Sequence, residues 1–157
     1  MKLSHPIVPH LWFATQAKEA AEYYVSVFPN SKIISTQTLR GTPSGEVELV
    51  PFELNGQRFE AISTGPHFTF SEAVSFIVKC DTKEELDYYW EKLSAEPEAE
   101  QCGWYKDQFG LSWQIVPSAM DEMILTKDME VLDRVTQSLL QIKKIDVEEI
   151  QKAYNGQ

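Results

Sequence analysis

Near the start of the chain, the spacing of hydrophobic positions changes from that of a strand to that of a helix. Residues 7–13 are short and apolar, which predicts a strand. Apolar side chains then recur at helical spacing, which predicts a helix with one buried stripe: Ala17, Ala20, Ala21, Tyr24 and Phe28. Thr15 is expected to cap the N-terminus of this helix. A helix with a single apolar stripe needs a surface to cover, and a sheet is the natural partner.

The dipeptide Asn55-Gly56 predicts a tight hairpin in the middle of the first half. Residues 32–39 predict one strand, and residues 47–54 and 57–63 flank Asn55-Gly56, which is typical of two-residue turns between antiparallel strands. Such a turn places Pro51 opposite Glu60. One face of the hairpin is then apolar and is expected to lie under the helix, while the opposite face carries Leu49, Glu53, Arg58, Glu60 and Ile62.

The second half of the chain repeats this order of elements. Residues 73–80 predict a strand, Thr82 and Glu85 form a capping box that opens a helix, and residues 101–107 and 112–116 predict two short strands. The repeat predicts one α+β domain over residues 5–117, made of two βαβββ modules, about residues 5–64 and 73–117, that form a curved mixed sheet. The hairpin argues against a parallel doubly wound sheet, because it makes neighbouring strands antiparallel.

Residues 118–157 have the pattern of helices alone. About forty residues are too few to bury a core of their own. This C-terminal extension is therefore expected to pack on the main domain or on a partner subunit.

Composition and charge narrow the possible partners. The 157 residues include 14 Lys+Arg and 24 Asp+Glu, so the formal net charge is −10. A surface of this charge repels nucleic acids and anionic membranes, so neither is expected as a partner. The chain also lacks an apolar run of about 20 residues and the apolar stretch of a signal peptide, which predicts a cytoplasmic protein. Cys80 and Cys102 do not form a CxxC motif and are expected to be free thiols.

The chain resembles the PhnB-like proteins in several segments: residues 9–13 (PHLWF), 28–31 (FPNS), 65–70 (GPHFTF), 101–107 (QCGWYKD) and 109–117 (FGLSWQIVP). This family carries the label 3-demethylubiquinone-9 3-methyltransferase. It belongs to the vicinal oxygen chelate superfamily, with glyoxalase I, bleomycin-resistance proteins and extradiol dioxygenases. The resemblance implies the paired βαβββ architecture and a concave ligand cavity. The sequence lacks the usual glycine-rich loop for S-adenosylmethionine, so a methyltransferase activity is not expected.

The superfamily resemblance also implies a position for a divalent metal, whose ligands come from the first, fourth, fifth and eighth strands. The first-strand position falls on Val8, with His10 two residues along on the same face, and the fifth-strand position falls near residues 73–75, which offer no good ligand. Glu60 and Gln114 match the other two strands. The set His10, Glu60 and Gln114 is weaker than the three good ligands of most catalytic sites, so we expect an incomplete metal site and no certain cofactor.

Aromatic side chains and a thiol complete the candidate site. Trp12 shares the face of His10. His67 is a candidate general base, although a hydrogen bond that holds its own loop is the simpler interpretation. Cys102 is interpreted as a small buried side chain rather than a nucleophile. The predicted ligand cavity therefore comprises His10, Trp12, Glu60, His67, Phe68, Cys102, Trp104 and Gln114.

Three functions remain open on the sequence alone, and it does not decide whether the chain is an enzyme. The favoured function is binding of a small aromatic or amphipathic molecule without the full metal site. One alternative is a metal-dependent lyase, isomerase or dioxygenase that uses the three predicted ligands. The other is a non-enzymatic protein that binds a partner through its C-terminal helices. A homodimer is expected, because an open curved sheet leaves edges to cover.

Overall fold

The computed structural model describes residues 7–157, which form eight strands and five α-helices. Residues 5 and 6, where the first predicted module begins, lie outside the described part. The chain divides into two compact units, Met1–Phe70 and Ser71–Gln157. Each unit contains a mixed sheet and at least one helix, so the predicted α+β class is confirmed. The strands belong to two sheets, one in each unit.

The first unit is a helix on a five-stranded sheet. Its elements are β1 (His10–Phe13), α1 (Ala17–Val27), β2 (Lys32–Ile33), β3 (Gln37–Thr42), β4 (Gly45–Leu54) and β5 (Gln57–Ser63). Strand β5 pairs in parallel with β1 and antiparallel with β4, and β4 also pairs antiparallel with β2 and β3.

The β4–β5 hairpin has the predicted turn and register. Asn55 and Gly56 both have positive φ, as a two-residue turn of this type requires. Pro51 lies opposite Glu60. The side chains that α1 and the helix-facing side of the sheet turn toward each other are buried. The main ones are Leu11, Phe13, Ala20, Tyr24, Val50, Phe52, Phe59 and Ala61. The opposite sheet face is therefore the one that is free to carry chemistry.

Three sequence predictions in this unit were wrong in detail. β1 begins at His10 rather than residue 7, because Pro9 has no N–H and contributes only its carbonyl, which accepts from Glu60 N at 3.0 Å. The strand predicted over residues 32–39 is two strands. Ile33 pairs with Phe52 and Gln37 pairs with Leu49, so an extra residue interrupts the ladder opposite Pro51, which cannot donate. Finally, the predicted cap at Thr15 is wrong: the N-cap residue of α1 is Gln16, and no side chain there accepts a hydrogen bond from the helix.

The second unit contains a three-stranded sheet and the C-terminal helices. Its elements are β6 (Ser75–Cys80), α2 (Lys83–Leu93), β7 (Trp104–Lys106), β8 (Ser112–Pro117), α3 (Met120–Ile124), α4 (Met129–Leu140) and α5 (Val147–Asn155). β8 is central, parallel to β6 and antiparallel to β7, and residues 94–103 connect α2 to β7 through a short 3-10 helix, Pro97–Ala99. Thr82 and Glu85 form the predicted capping box at the start of α2.

The C-terminal helices are tied to β7 by backbone hydrogen bonds. Cys102 N donates to Ile142 O at 2.8 Å, and Gly103 N donates to Lys143 O at 2.7 Å. Beside them lies an apolar cluster made of Met120, Met123, Val135, Ile145 and Ile150. Within the second unit, the segment after β8 thus buries its apolar side chains in a small cluster that also contacts Val116 of β8. None of the helices in residues 7–157 is long and apolar enough to cross a bilayer.

Candidate functional site

A row of charged and polar side chains crosses the open face of the first sheet. His10 on β1 is the register partner of Glu60 on β5. Arg58 lies two residues before Glu60 on the same face, and its Nη2 is 3.4 Å from Glu60 Oε1. Glu53 lies opposite Arg58 and pairs with Lys32 at 3.6 Å. Because β1 and β5 are parallel and in register, the predicted candidates His10 and Glu60 are neighbours on one surface.

An aromatic corner lies beside this row. Trp12 is two residues beyond His10 on β1, and its indole Nε1 donates to Gly65 O at 2.9 Å. The rings of Trp12 and Phe68 meet edge to face with centroids 4.9 Å apart, and the ring of His67 is 6.4 Å from Trp12. Phe68 is nevertheless 66% exposed. The structure thus brings together five of the eight predicted cavity residues in the first unit.

The loop that carries His67 and Phe68 depends on a glycine. Gly65 has a φ of +93°, and a Cβ added there would lie 3.3 Å from His67 Nε2. The imidazole therefore lies over its own loop, and His67 also borders a cavity of about 580 Å³ near Glu46 and Glu48. No described carboxylate forms an ion pair with His67. If His67 acted as a general base, no carboxylate would hold its imidazole in position.

The donor set on the first sheet does not complete a metal site. His10 and Glu60 are two neighbouring ligands, and residues 7–157 contain no group of three or more His, Cys, Asp or Glu side chains placed to hold a metal ion. Gln114, the third predicted ligand, belongs to the second sheet, where its Nε2 donates to Ser75 Oγ at 2.9 Å. Catalytic metal centres usually present three good protein ligands, and the first sheet supplies two of the predicted set, His10 and Glu60.

The open face of the second sheet carries two of the three remaining predicted residues, Trp104 and Gln114, and Cys102 lies in the turn before β7. Gln114 on β8 is the register partner of Trp104 on β7, and Ser112 is the partner of Lys106. The alternate residues of these strands, Tyr105 and Trp113, are buried, and the ring of Tyr105 contacts Trp90 of α2. Sequence parity would have placed Ser112 and Lys106 on the open face together with Gln114, but neither was among the predicted candidates.

The two cysteines occupy different surroundings, and neither forms a disulfide. Cys80 is 1% exposed at the end of β6, and burial, followed by the nearby charges of Glu85 and Asp81, raises the pKa of its thiol to about 11. The thiol therefore stays protonated at neutral pH, as expected of a structural cysteine. Cys102 is half-buried with a positive φ of 53°, and its backbone N–H anchors the C-terminal segment.

Asp107 holds the β7–β8 connection, a role that the sequence interpretation missed. This aspartate is fully buried. Its Oδ1 accepts from the backbone N–H groups of Phe109 and Leu111, at 2.8 and 3.0 Å, and its Oδ2 accepts from Trp113 Nε1 at 2.8 Å. The local signal was an Asp three residues before Gly110 in a tight turn, which is typical of a side chain that bonds the following backbone.

Together, the two sheets, each with a helix and an open face, define a protein of the vicinal oxygen chelate fold. Residues 5–116 match the model of the 3-demethylubiquinone-9 3-methyltransferase family, and the chain belongs to this family. No curated protein matches the chain at a significant level.

Solved structures agree with this assignment. A PhnB protein from Bacillus cereus is 31% identical, with 73% of this chain and 100% of that chain covered and a TM-score of 0.60. A Pseudomonas aeruginosa protein is 18% identical, covering 73% and 98%, with a TM-score of 0.56. The fosfomycin resistance protein FosX from Listeria monocytogenes is 15% identical, covering 80% and 100%, with a TM-score of 0.57. At such identities the last two show the fold alone. FosX has also been crystallised, as a mutant, with Mn(II) and 1S,2S-dihydroxypropylphosphonic acid.

Proposed function

We propose that this protein binds a small aromatic or amphipathic molecule on the open face of its first sheet. The observation that carries the proposal is the edge-to-face pair of Trp12 and Phe68 beside the polar row of His10, Arg58 and Glu60. A surface with an apolar aromatic end and a polar end suits a ligand that has the same two parts.

The exposure of Phe68 supports this use of the aromatic corner. Its ring is 66% exposed although it already contacts Trp12, so a second flat molecule can cover it without any rearrangement of the sheet. Burying that ring against a ligand removes apolar surface from water, which is favourable by about 25 cal/mol for each Å². The polar row then gives the ligand its orientation through hydrogen bonds and charge rather than through a metal.

The binding proposal is tested with anilinonaphthalenesulfonate (ANS), an aromatic amphipathic anion whose fluorescence rises on binding. The full chain should bind ANS saturably while keeping its native near-ultraviolet circular dichroism. Phe68→Ala should weaken the affinity about fivefold to thirtyfold, because it removes an aromatic contact worth about 1–2 kcal/mol. Tyr88→Ala is the matched control, since Tyr88 is an exposed aromatic residue on α2. Equal affinities for both variants and the wild type would contradict the proposal.

We also propose that the protein is a homodimer. Large apolar side chains between α3 and the end of α4 are exposed, among them Leu125 at 79% and Met129 at 64%, together with Ile124 and Leu140. Large exposed apolar side chains in this number, within one short segment of the chain, favour an interface that covers them. Light scattering after gel filtration at micromolar concentration should give twice the mass of the single chain, and a monomer mass would contradict the prediction.

A further inference from the structure

A cavity of about 450 Å³ lies in the second unit, beside the 3-10 helix Pro97–Ala99 and the open face of β7 and β8. Its side chains are chemically mixed and include two aromatic residues, Trp104 and Tyr105, the hydroxyl of Ser112 and three charged groups. The residues that matter for its chemistry are Glu72, Glu98, Trp104, Lys106 and Ser112. Every residue that lines this cavity belongs to the second unit, whereas the residues of the aromatic corner belong to the first.

A buried hydroxyl in this cavity lacks a hydrogen-bond partner. Ser112 is 1% exposed, and its Oγ has no partner among the described residues. Leaving a buried hydroxyl unpaired costs about 1–3 kcal/mol, so native structures nearly always provide a partner. Ser112 lies on the open side of β8, as the register partner of Lys106, so a ligand in the cavity is placed to provide that partner.

The single lysine of the cavity is already neutralised. Lys106 Nζ is 2.5 Å from the carboxylate of Glu72. The hydrogen bond within this pair lowers the pKa of the Glu72 carboxyl and raises the pKa of Lys106, so both groups are charged at neutral pH. An anionic ligand would therefore have to displace Glu72 before it could use the lysine.

One carboxylate of the cavity remains uncompensated. Glu98 forms no ion pair within residues 7–157, and Glu96 is close enough to act on Lys106. The lining therefore carries an excess of negative charge, together with the indole of Trp104, whose face attracts cations. Negative charge, an aromatic surface and a free hydroxyl are the groups that recognise a protonated amine.

We infer that this cavity binds a small organic cation, an amine that carries an aromatic or apolar group. The ammonium group donates hydrogen bonds to Ser112 Oγ and to the Glu98 carboxylate, and the apolar part lies against Trp104. The cavity volume is sufficient for a ligand of about ten heavy atoms.

Benzylammonium is the probe that tests this inference, with benzyl alcohol and benzoate as the neutral and anionic probes of the same shape. Isothermal titration of the full chain at neutral pH should show benzylammonium binding at least about tenfold tighter than either analogue. Glu98→Gln and Ser112→Ala should each weaken it about threefold to tenfold, the loss expected for one hydrogen bond. Glu91→Gln removes an exposed carboxylate on α2, outside the cavity, and should leave the affinity unchanged.

Several outcomes would overturn the inference. They are the absence of benzylammonium binding, equal affinity for the three probes, and unchanged affinity in both Glu98→Gln and Ser112→Ala. Glu98 is exposed, so Glu98→Gln keeps the test valid even if Ser112→Ala alters the core. The site is also independent of the proposed function. Phe68→Ala should leave benzylammonium binding intact, and Glu98→Gln should leave ANS binding intact, so the failure of one proposal is distinguishable from the failure of the other.

Discussion

Replacing Asp107 with alanine is expected to lower the free energy of unfolding by about 3–5 kcal/mol, because it removes the acceptor of three donors, two of which are buried. The donors are the backbone N–H groups of Phe109 and Leu111 and the indole N–H of Trp113. For a chain of this length, the loss corresponds to a fall in Tm of about 6–20 °C. Thermal and urea unfolding followed by circular dichroism measure both quantities.

The control for this variant is Asp133→Ala, which removes an exposed aspartate from α4. Surface substitutions of this kind usually change the free energy of unfolding by less than about 0.5 kcal/mol. Asp107→Asn is the informative intermediate. The asparagine side chain keeps one oxygen, which can accept from the two backbone N–H groups. Its NH₂ group then lies opposite the indole N–H of Trp113, which loses its acceptor. If Asp107→Ala unfolds at the same Tm as Asp133→Ala, Asp107 does not hold the β7–β8 connection.

Replacing Gly103 with alanine is expected to cost about 2–4 kcal/mol of stability, since two separate penalties add. Gly103 has a φ of +83°, which is unfavourable for alanine. The new Cβ would also lie 2.8 Å from Ile145 Cδ1 and 3.1 Å from Ile115 O. Because Gly103 N also donates to Lys143 O, the variant should loosen the C-terminal segment, which faster hydrogen exchange in α5 would report.

Gly110→Ala separates the two penalties. Gly110 has nearly the same φ, +84°, but a Cβ there would meet nothing within 4 Å. It should cost only about 1 kcal/mol, the conformational part. Adding Ile145→Val to Gly103→Ala removes the clashing Cδ1 and should recover part of the loss in a double-mutant cycle. Equal losses for Gly103→Ala and Gly110→Ala would show that the contact with Ile145 does not matter.

The parts of the fold that were predicted correctly depend on local chemistry. Asn55 and Gly56 require a two-residue turn, and the turn alone sets the β4–β5 register. Parity then puts Glu60 and Arg58 on the open face without any knowledge of the rest of the chain. The capping box is local in the same sense, since Thr82 and Glu85, three residues apart, accept hydrogen bonds from each other's backbone N–H groups.

The errors arise where distant residues decide the local structure. Ile33 and Gln37 belong to different strands because β4, and Pro51 within it, interrupts the ladder. The pairing of Gln114 with Ser75 depends on the parallel alignment of β6 and β8, which lie almost forty residues apart in the chain. The missing partner of Ser112 and the Lys106–Glu72 pair follow from the same tertiary arrangement, so no sequence spacing reports them.

Family membership defines the scaffold of this protein and leaves its ligand to be argued from the sites. The same fold hosts unrelated chemistries, so the individual side chains carry the functional inference. On the first sheet these are two possible metal ligands, His10 and Glu60, of which Glu60 already contacts Arg58. Beside them the aromatic corner of Trp12 and Phe68 offers direct contact area to an organic ligand, which favours binding through the ring pair over binding through a metal.

The central claim, that a small amphipathic molecule binds beside Trp12, is tested most directly by the indole N–H signals in a proton–nitrogen correlation spectrum. The chain has four tryptophans, and comparison with Trp12→Phe assigns the signal of Trp12, whose Nε1 donates to Gly65 O. Titration with ANS should shift the Trp12 signal progressively to saturation and leave the buried Trp113 signal in place. If the Trp12 signal does not move while ANS fluorescence rises, the ligand binds elsewhere and the account is wrong.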